Sequence, residues 1–196
     1  MTALAIGLAY LLGSIPTGVL LARSKGVDLR SVGSGNIGAT NVARALGKGF
    51  GAITLAGDAG KGLVAALVAG MLLDDGSSSQ GIRWIAAAGL AAFVGHLFPI
   101  WLRLRGGKGV ATGLGVLLAL VPWAGVAGAA TYAVLLAAKR ISSVGSLGGA
   151  AVAAAVTPLL TPEPSLRVLA ATMFVGVVAR HAGNIRRLIR GEEGKI

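Results

Sequence analysis

Four stretches of this chain leave little choice of fold. Thr2 to Ala22 holds no charge, and Trp84 to Leu102 holds only His96 before Arg103. Val110 to Ala138 gives 29 residues without a charge, and Ile141 to Pro162 gives 22. Crossing hydrocarbon takes about 20 helical residues, and backbone polar groups in lipid must be satisfied within the helix. The chain is therefore read as an all-α, polytopic integral membrane protein forming a single domain over residues 1–196. Hydrophobic content of 55%, only 13% charge and a mean hydropathy of +0.80 agree, since a soluble domain of this size carries more charge.

The net charge of +11 would suggest nucleic acid in a soluble protein. Here the cations fall between apolar runs, so they are read as orientation charge and no nucleic-acid partner is expected. The open question is whether 110–138 is one helix or two. One helix gives six crossings, with Lys and Arg divided nine against eight. Two helices turning at Pro122-Trp123 give seven crossings and fifteen against two, the two being Arg83 and Arg167. The positive-inside rule selects seven. The expected spans are roughly 2–22, 50–73, 84–102, 108–121, 123–138, 143–160 and 165–182. The N-terminus is then outside and the C-terminus cytoplasmic, with Asp74, Asp75 and Glu163 on the outer side. The first apolar run lacks a basic n-region and reads as a span rather than a cleaved signal. With no cysteine, disulfides, thiolate metal sites and thiol nucleophiles are excluded.

Chemistry is then confined to the cytoplasmic loops and helix ends. Gly33-Ser-Gly-Asn-Ile-Gly-Ala-Thr-Asn41, followed by Arg44, matches G-x-G-x-x-G. A dinucleotide fold would need a strand before it, and a membrane helix stands there instead. Its glycines and small polar side chains still offer donors suited to phosphate oxygens. The plainer reading is a well-capped interhelical loop. Gly57-Asp-Ala-Gly-Lys-Gly62 puts Asp58 and Lys61 on one face inside a hydrophobic run. It reads equally well as a self-neutralising structural pair or as a functional one. Gly95-His-Leu-Phe-Pro99 precedes Arg103-Leu-Arg-Gly-Gly-Lys-Gly109. His96 alone could be structural, and the cations could contact anionic lipid. Arg180-His-Ala-Gly-Asn184, with Arg186 and Arg187 beyond, sets His181 and Asn184 on one face; its plain reading is electrostatic docking to headgroups. Together these stretches supply many donors, several cations and few anions on one surface, which describes a seat for one or two phosphates. No Asp/Glu/His cluster has metal-ligand spacing.

As an ordered set, these motifs resemble the bacterial acyl-phosphate:glycerol-3-phosphate acyltransferase family. Gly13-Ser-Ile-Pro-Thr-Gly18 and Asp28 to Asn41 carry the resemblance with the 57–62, 95–101, 106–109 and 180–187 segments. It covers nearly the whole chain. The resemblance implies a seven-helix enzyme of the bacterial inner membrane whose site faces the cytoplasm. It would transfer an acyl chain from acyl phosphate to the sn-1 hydroxyl of glycerol 3-phosphate. That yields lysophosphatidic acid and phosphate, the first step of phospholipid synthesis, with no cofactor. The soluble enzyme that makes acyl phosphate is a candidate partner, and the bilayer is the other.

The resemblance also implies residue roles. His181, Asn184 and Ser34 would be catalytic, with Gly35, Asn36, Gly38, Thr40 and Asn41 completing the phosphate loop. Arg44 and Lys108 would clamp phosphate, while His96 and Lys61 rank lower, as supporting residues. The proton acceptor stays open between His181 and a substrate phosphate oxygen. The H-x-x-x-x-D dyad of other acyltransferases is absent, because Trp101 and Arg186 stand five residues after the two histidines. The rivals are a transporter of a phosphorylated solute, which predicts broken helices and intramembrane charge, and a lipid-surface scaffold.

Overall fold

The computed structural model describes residues 1–73 and 79–195, so Asp74 and Asp75 lie outside the described residues. Ten α-helices and a short 3-10 helix, Ile100–Leu102, make up the regular structure there: α1 (Thr2–Gly13), α2 (Thr17–Arg23), α3 (Ala39–Leu46), α4 (Lys48–Leu73), α5 (Ser79–Leu97), α6 (Val110–Leu120), α7 (Pro122–Lys139), α8 (Ser142–Leu160), α9 (Pro164–Arg180) and α10 (Ala182–Ile189). Thr2–Arg23, Lys48–Leu73, Ser79–Leu102 and Ser142–Leu160 are long and apolar enough to cross a membrane. Helices α9 and α10, bent by 60°, make a fifth if the pair counts as one span.

The bundle is polarised as lipid requires. Along α4, Ile53, Leu55, Val64, Leu67, Val68 and Met71 are exposed while Asp58 and Lys61 are buried. In water such an apolar surface would drive aggregation; in a bilayer it faces chains of its own kind. Helix α4 packs on α1, α3, α5 and α6, and α5 packs on α1, α4 and α9. The core lies between α5, α6, α8 and α9, around Phe93, Leu97, Val116, Leu169 and Met173.

The expected break at Pro122 is present. Val121 leaves the helical region at φ −140°, ψ 72°, and Pro122 opens α7, where its missing N–H costs nothing. Helix α7 folds back on α6, so that a Cβ at Gly125 would come within 3.0 Å of the Leu118 nitrogen. A second break, between Gly13 and Thr17, interrupts the run expected to be one continuous helix. Lys61 Nζ donates to the Ile15 carbonyl at 2.7 Å and to Asp58 Oδ1 at 2.8 Å. The buried pair thus sits at a point where the first run loses its regular bonding, which favours the structural reading.

Two short helices, α3 and α10, occupy segments expected to be loop and tail. Each is amphipathic: Val42 of α3 is fully buried against Ala22 and Leu29, while Arg44 faces out.

Candidate active site

Three segments are bound to one another at the end of the bundle where α3 and α10 lie. In the first, Gly33 and Gly35 adopt φ of 56° and 66°, a region open to glycine at little cost. Asn41, 1% exposed, organises this loop. Its Nδ2 donates to the Leu29, Val32 and Asn36 carbonyls at 3.2, 3.0 and 2.9 Å, and its Oδ1 accepts from the Ser34 N–H at 3.0 Å. Two N–H bonds serve three carbonyls, so the amide is fully engaged. Asn36 Oδ1 accepts from the Gly38 N–H.

The second segment, Arg103 to Gly109, folds down onto the end of α5. The N–H groups of Gly106 and Gly107 donate to the Leu97 and His96 carbonyls at 3.1 and 3.0 Å. A Cβ at Gly107 would fall 2.1 Å from His96 Nε2, so only glycine fits against that ring. His96 is 4% exposed, and its Nδ1 stands 3.7 Å from Asp58 Oδ1. The third segment is the α9–α10 junction. Arg180 donates from Nε and Nη2 to the Gly107 and Gly106 carbonyls, both at 2.9 Å. Arg30 joins the first two segments by donating to the Gly35 carbonyl at 3.0 Å and to the Arg105 carbonyl.

These ties enclose a cleft of about 1010 Å³. Ser34, Asn36, Gly38, Thr40, Asn41, Arg44, His96, Lys108, His181 and Asn184 all line it. Gly35 and Lys61 do not, Gly35 bonding Arg30 and Lys61 facing the α1–α2 break. Lys108 Nζ donates to Asn184 Oδ1 at 2.5 Å. Burial, reinforced by Arg187, Arg44 and Arg180 and opposed by Glu193, brings Lys108 down from 10.5 to about 8. His181, 1% exposed, places Nδ1 2.8 Å from the Val177 carbonyl. A carbonyl only accepts, so Nδ1 carries the hydrogen and Nε2 is the nitrogen left to take a proton.

Sequence reasoning missed several lining residues. Ser142 and Ser143 open α8 and line the cleft with Arg187 and Glu193. Ser142 Oγ lies 2.9 Å from Thr40 Oγ1, tying the glycine loop to the α8 N-terminus. No side chain caps that terminus among the described residues, and it presents the positive end of a 19-residue helix. The signal was available: two serines one residue after Lys139-Arg140, opening a hydrophobic run. Below this polar mouth the floor is apolar and small-residue rich, with Gly113, Leu117, Gly149, Ala153, Ala170 and Met173.

The cleft therefore joins cations and small donors at its mouth to a lipid-like floor. The family model for glycerol-3-phosphate acyltransferase matches residues 3–191. The chain belongs to the glycerol-3-phosphate acyltransferase family. A relative of that name from Anaeromyxobacter dehalogenans (strain 2CP-1 / ATCC BAA-258) is 52% identical, over 99% of this chain and 96% of its own. Another, from Myxococcus xanthus (strain DK1622), is 48% identical over 98% of each. Among solved structures, the glycerol 3-phosphate form of PlsY, an integral membrane glycerol 3-phosphate acyltransferase, superposes with a TM-score of 0.93. It is 36% identical and covers 100% of this chain and 95% of its own. The lysophosphatidic acid form of that enzyme gives 0.90 at 34% identity, with the same coverage.

Membership makes the chain a multi-pass integral membrane acyltransferase of phospholipid synthesis, as the resemblance implied. The helix break at Pro16 and the buried Asp58–Lys61 pair would have suited a transporter. Family membership decides for the acyltransferase over the transporter.

Proposed function

We propose that this enzyme takes its acyl chain from acyl phosphate and gives it to the sn-1 hydroxyl of glycerol 3-phosphate. The observation that carries the reading is the shared cleft. Its mouth gathers Lys108, His181, Asn184, the 33–44 loop and the α8 N-terminus over a floor that suits an alkyl chain. Both substrates are anionic, and a basic mouth raises their local concentration.

The reaction requires little beyond positioning. The glycerol hydroxyl oxygen attacks the acyl carbonyl carbon, the bond from that carbon to the phosphate oxygen breaks, and inorganic phosphate leaves. An acyl phosphate is already activated, so no enzyme nucleophile is needed. The residues hold the reactants close and neutralise the developing oxyanion and departing phosphate. Lys108 and Arg44 supply the charge. Thr40, Ser34 and Ser142 supply hydroxyl donors with the loop and helix N–H groups. Asn41 serves by fixing the loop's shape. The hydroxyl proton goes either to His181 Nε2 or to a substrate phosphate oxygen.

The topology follows the same reading: one domain, seven crossings, N-terminus outside, and the site on the cytoplasmic face of the bacterial inner membrane. There the soluble enzyme that makes acyl phosphate can deliver it. Fifteen cations against two and the α6–α7 turn support this. Purified protein in nanodiscs, given glycerol 3-phosphate with acyl phosphate, acyl-CoA or acyl carrier protein in parallel, tests the donor. Lysophosphatidic acid should appear from acyl phosphate. Product from acyl-CoA alone would refute the donor assignment. Single cysteines placed at positions 48 and 195 should react with an impermeant maleimide only after the cytoplasmic face is opened.

A further inference from the structure

One anion already sits in the basic mouth, and it belongs to the chain. Glu193 Oε1 accepts from Ser143 Oγ at 2.8 Å and from Asn184 Nδ2 at 2.5 Å; Oε2 accepts from Arg187 Nε at 2.6 Å. Lys108 holds the other end of the same Asn184 amide. Ser143 is in the first turn of α8, at the positive end of that helix. Hydroxyl, amide, guanidinium and helix terminus around one oxyanion are what a phosphate group would require.

The tail is aimed there by a built turn. Helix α10 ends with Gly191 at φ 72°. The Gly191 N–H donates to the Leu188 carbonyl at 3.1 Å, and the Glu192 N–H to the Arg187 carbonyl at 2.8 Å. This is the paired bonding of a Schellman motif, and it reverses the chain so that Glu193 returns to the cleft. Burial raises the affinity of Glu193 for a proton, but the bonds from Asn184, Arg187 and Ser143 outweigh it, so the carboxyl is held below its ordinary range.

We propose that Glu193 is a tethered competitor, occupying the seat of a substrate phosphate in the resting enzyme and leaving it when substrate binds. This rests on the function proposed above. A ligand admitted only when the tail is out binds with its dissociation constant divided by the open fraction. A tail seated two-thirds to nine-tenths of the time thus raises apparent KM about three- to tenfold and leaves kcat alone.

The test compares wild type with Glu193→Ala and Glu193→Gln in nanodiscs. KM is measured separately for glycerol 3-phosphate and acyl phosphate, and the affinity for inorganic phosphate by calorimetry. The substrate whose KM falls identifies whose phosphate uses the seat. Expected is a three- to tenfold fall in at least one KM, unchanged kcat and tighter inorganic phosphate in Glu193→Ala. Unchanged KM values overturn the proposal. So does a fall in kcat, which would make Glu193 a residue that positions Asn184.

The chain has no cysteine, so a nitroxide on Glu192→Cys reports the tail alone. Its spectrum should sharpen when the substrate whose KM falls saturates the enzyme; a spectrum that neither substrate changes refutes displacement. Should wild type fail to use acyl phosphate, the function fails separately. The calorimetric arm then decides the tail, with equal phosphate affinity in both proteins counting against it.

Discussion

Lys108 provides the sharpest quantitative test of the cleft. Its ammonium is partly buried, bonds Asn184 and has Arg44, Arg180 and Arg187 nearby. At an effective dielectric near 20, a unit charge about 4 Å from a phosphate oxygen gains roughly 4 kcal/mol per unit of opposite charge. Hydration of the free partners removes part of this. Truncating one member of a buried charged contact commonly costs about 2–5 kcal/mol. Lys108→Met should therefore lower kcat/KM for glycerol 3-phosphate by about 2–3.5 kcal/mol, roughly 30- to 400-fold. The pH profile adds an independent sign. Lys108 releases its proton near 8 in the free protein, so the cation is present below that pH and lost above it. A phosphate monoester becomes a dianion above about pH 6. The quantity kcat/KM reports free enzyme and free substrate. It should rise through pH 6, plateau, and fall above pH 8 by up to about tenfold per unit. Arginine stays charged throughout, so Lys108→Arg should lose the alkaline fall even if its fork fits poorly and the plateau drops. Initial rates of lysophosphatidic acid formation, corrected for spontaneous acyl phosphate hydrolysis, provide the assay. A Met variant within threefold of wild type, or an Arg variant with the same alkaline fall, would refute the assignment.

Arg180→Lys should not replace the fork that bonds both Gly106 and Gly107 carbonyls. Charge-assisted bonds of this kind are worth about 1.5–3 kcal/mol, so a lower melting temperature and a loss of activity near that of Arg180→Ala are expected. Asn41→Asp removes the donors facing three carbonyls and should destabilise the loop by about 1–3 kcal/mol, read as faster proteolysis between residues 28 and 40. Asp58→Asn strips Lys61 of its counterion, a change that commonly costs about 3–5 kcal/mol. The double variant Asp58→Asn, Lys61→Met should recover most of that in a thermal melt if the pair is structural. For His181, activity retained in His181→Gln but not His181→Ala would assign orientation over proton abstraction.

What could be read in advance follows from how local the signals are. Pro122 lies in a 29-residue apolar run that could form one long span or two short ones, and charge asymmetry decided its meaning. Pro16 has the same chemistry, but no flanking charge marked it, and the run around it had the length of one helix. Its break becomes visible only when Lys61 of α4 is seen at the Ile15 carbonyl. Helices α3 and α10 are eight residues each, too short to be stable alone, and form by docking apolar faces such as Val42 on the bundle. The glycine loop, Lys108, His181 and Asn184 were legible because each lies in a dense local motif. Ser143 and Glu193 were not, since their pairing spans 50 positions and neither stands in a distinctive motif.

The cations themselves now divide by what they touch. Arg30 and Arg180 donate to backbone carbonyls of neighbouring loops, so their charge is already engaged in shaping the mouth. Arg44 lines the cleft and makes no hydrogen bond among the described residues, while Lys108 holds only the Asn184 amide. A guanidinium with its fork directed at carbonyls has few donors left for a substrate; one on the rim without a partner has five. Positive-inside charge therefore does two kinds of work here. Some arginines tie together the glycine loops at the mouth, and in the function proposed above Arg44 is left to meet the phosphate. Losing a member of the first group should lower stability and activity together. Losing Arg44 should raise KM and leave the melting temperature within about 2 °C, because a solvated surface change lies within ±0.5 kcal/mol.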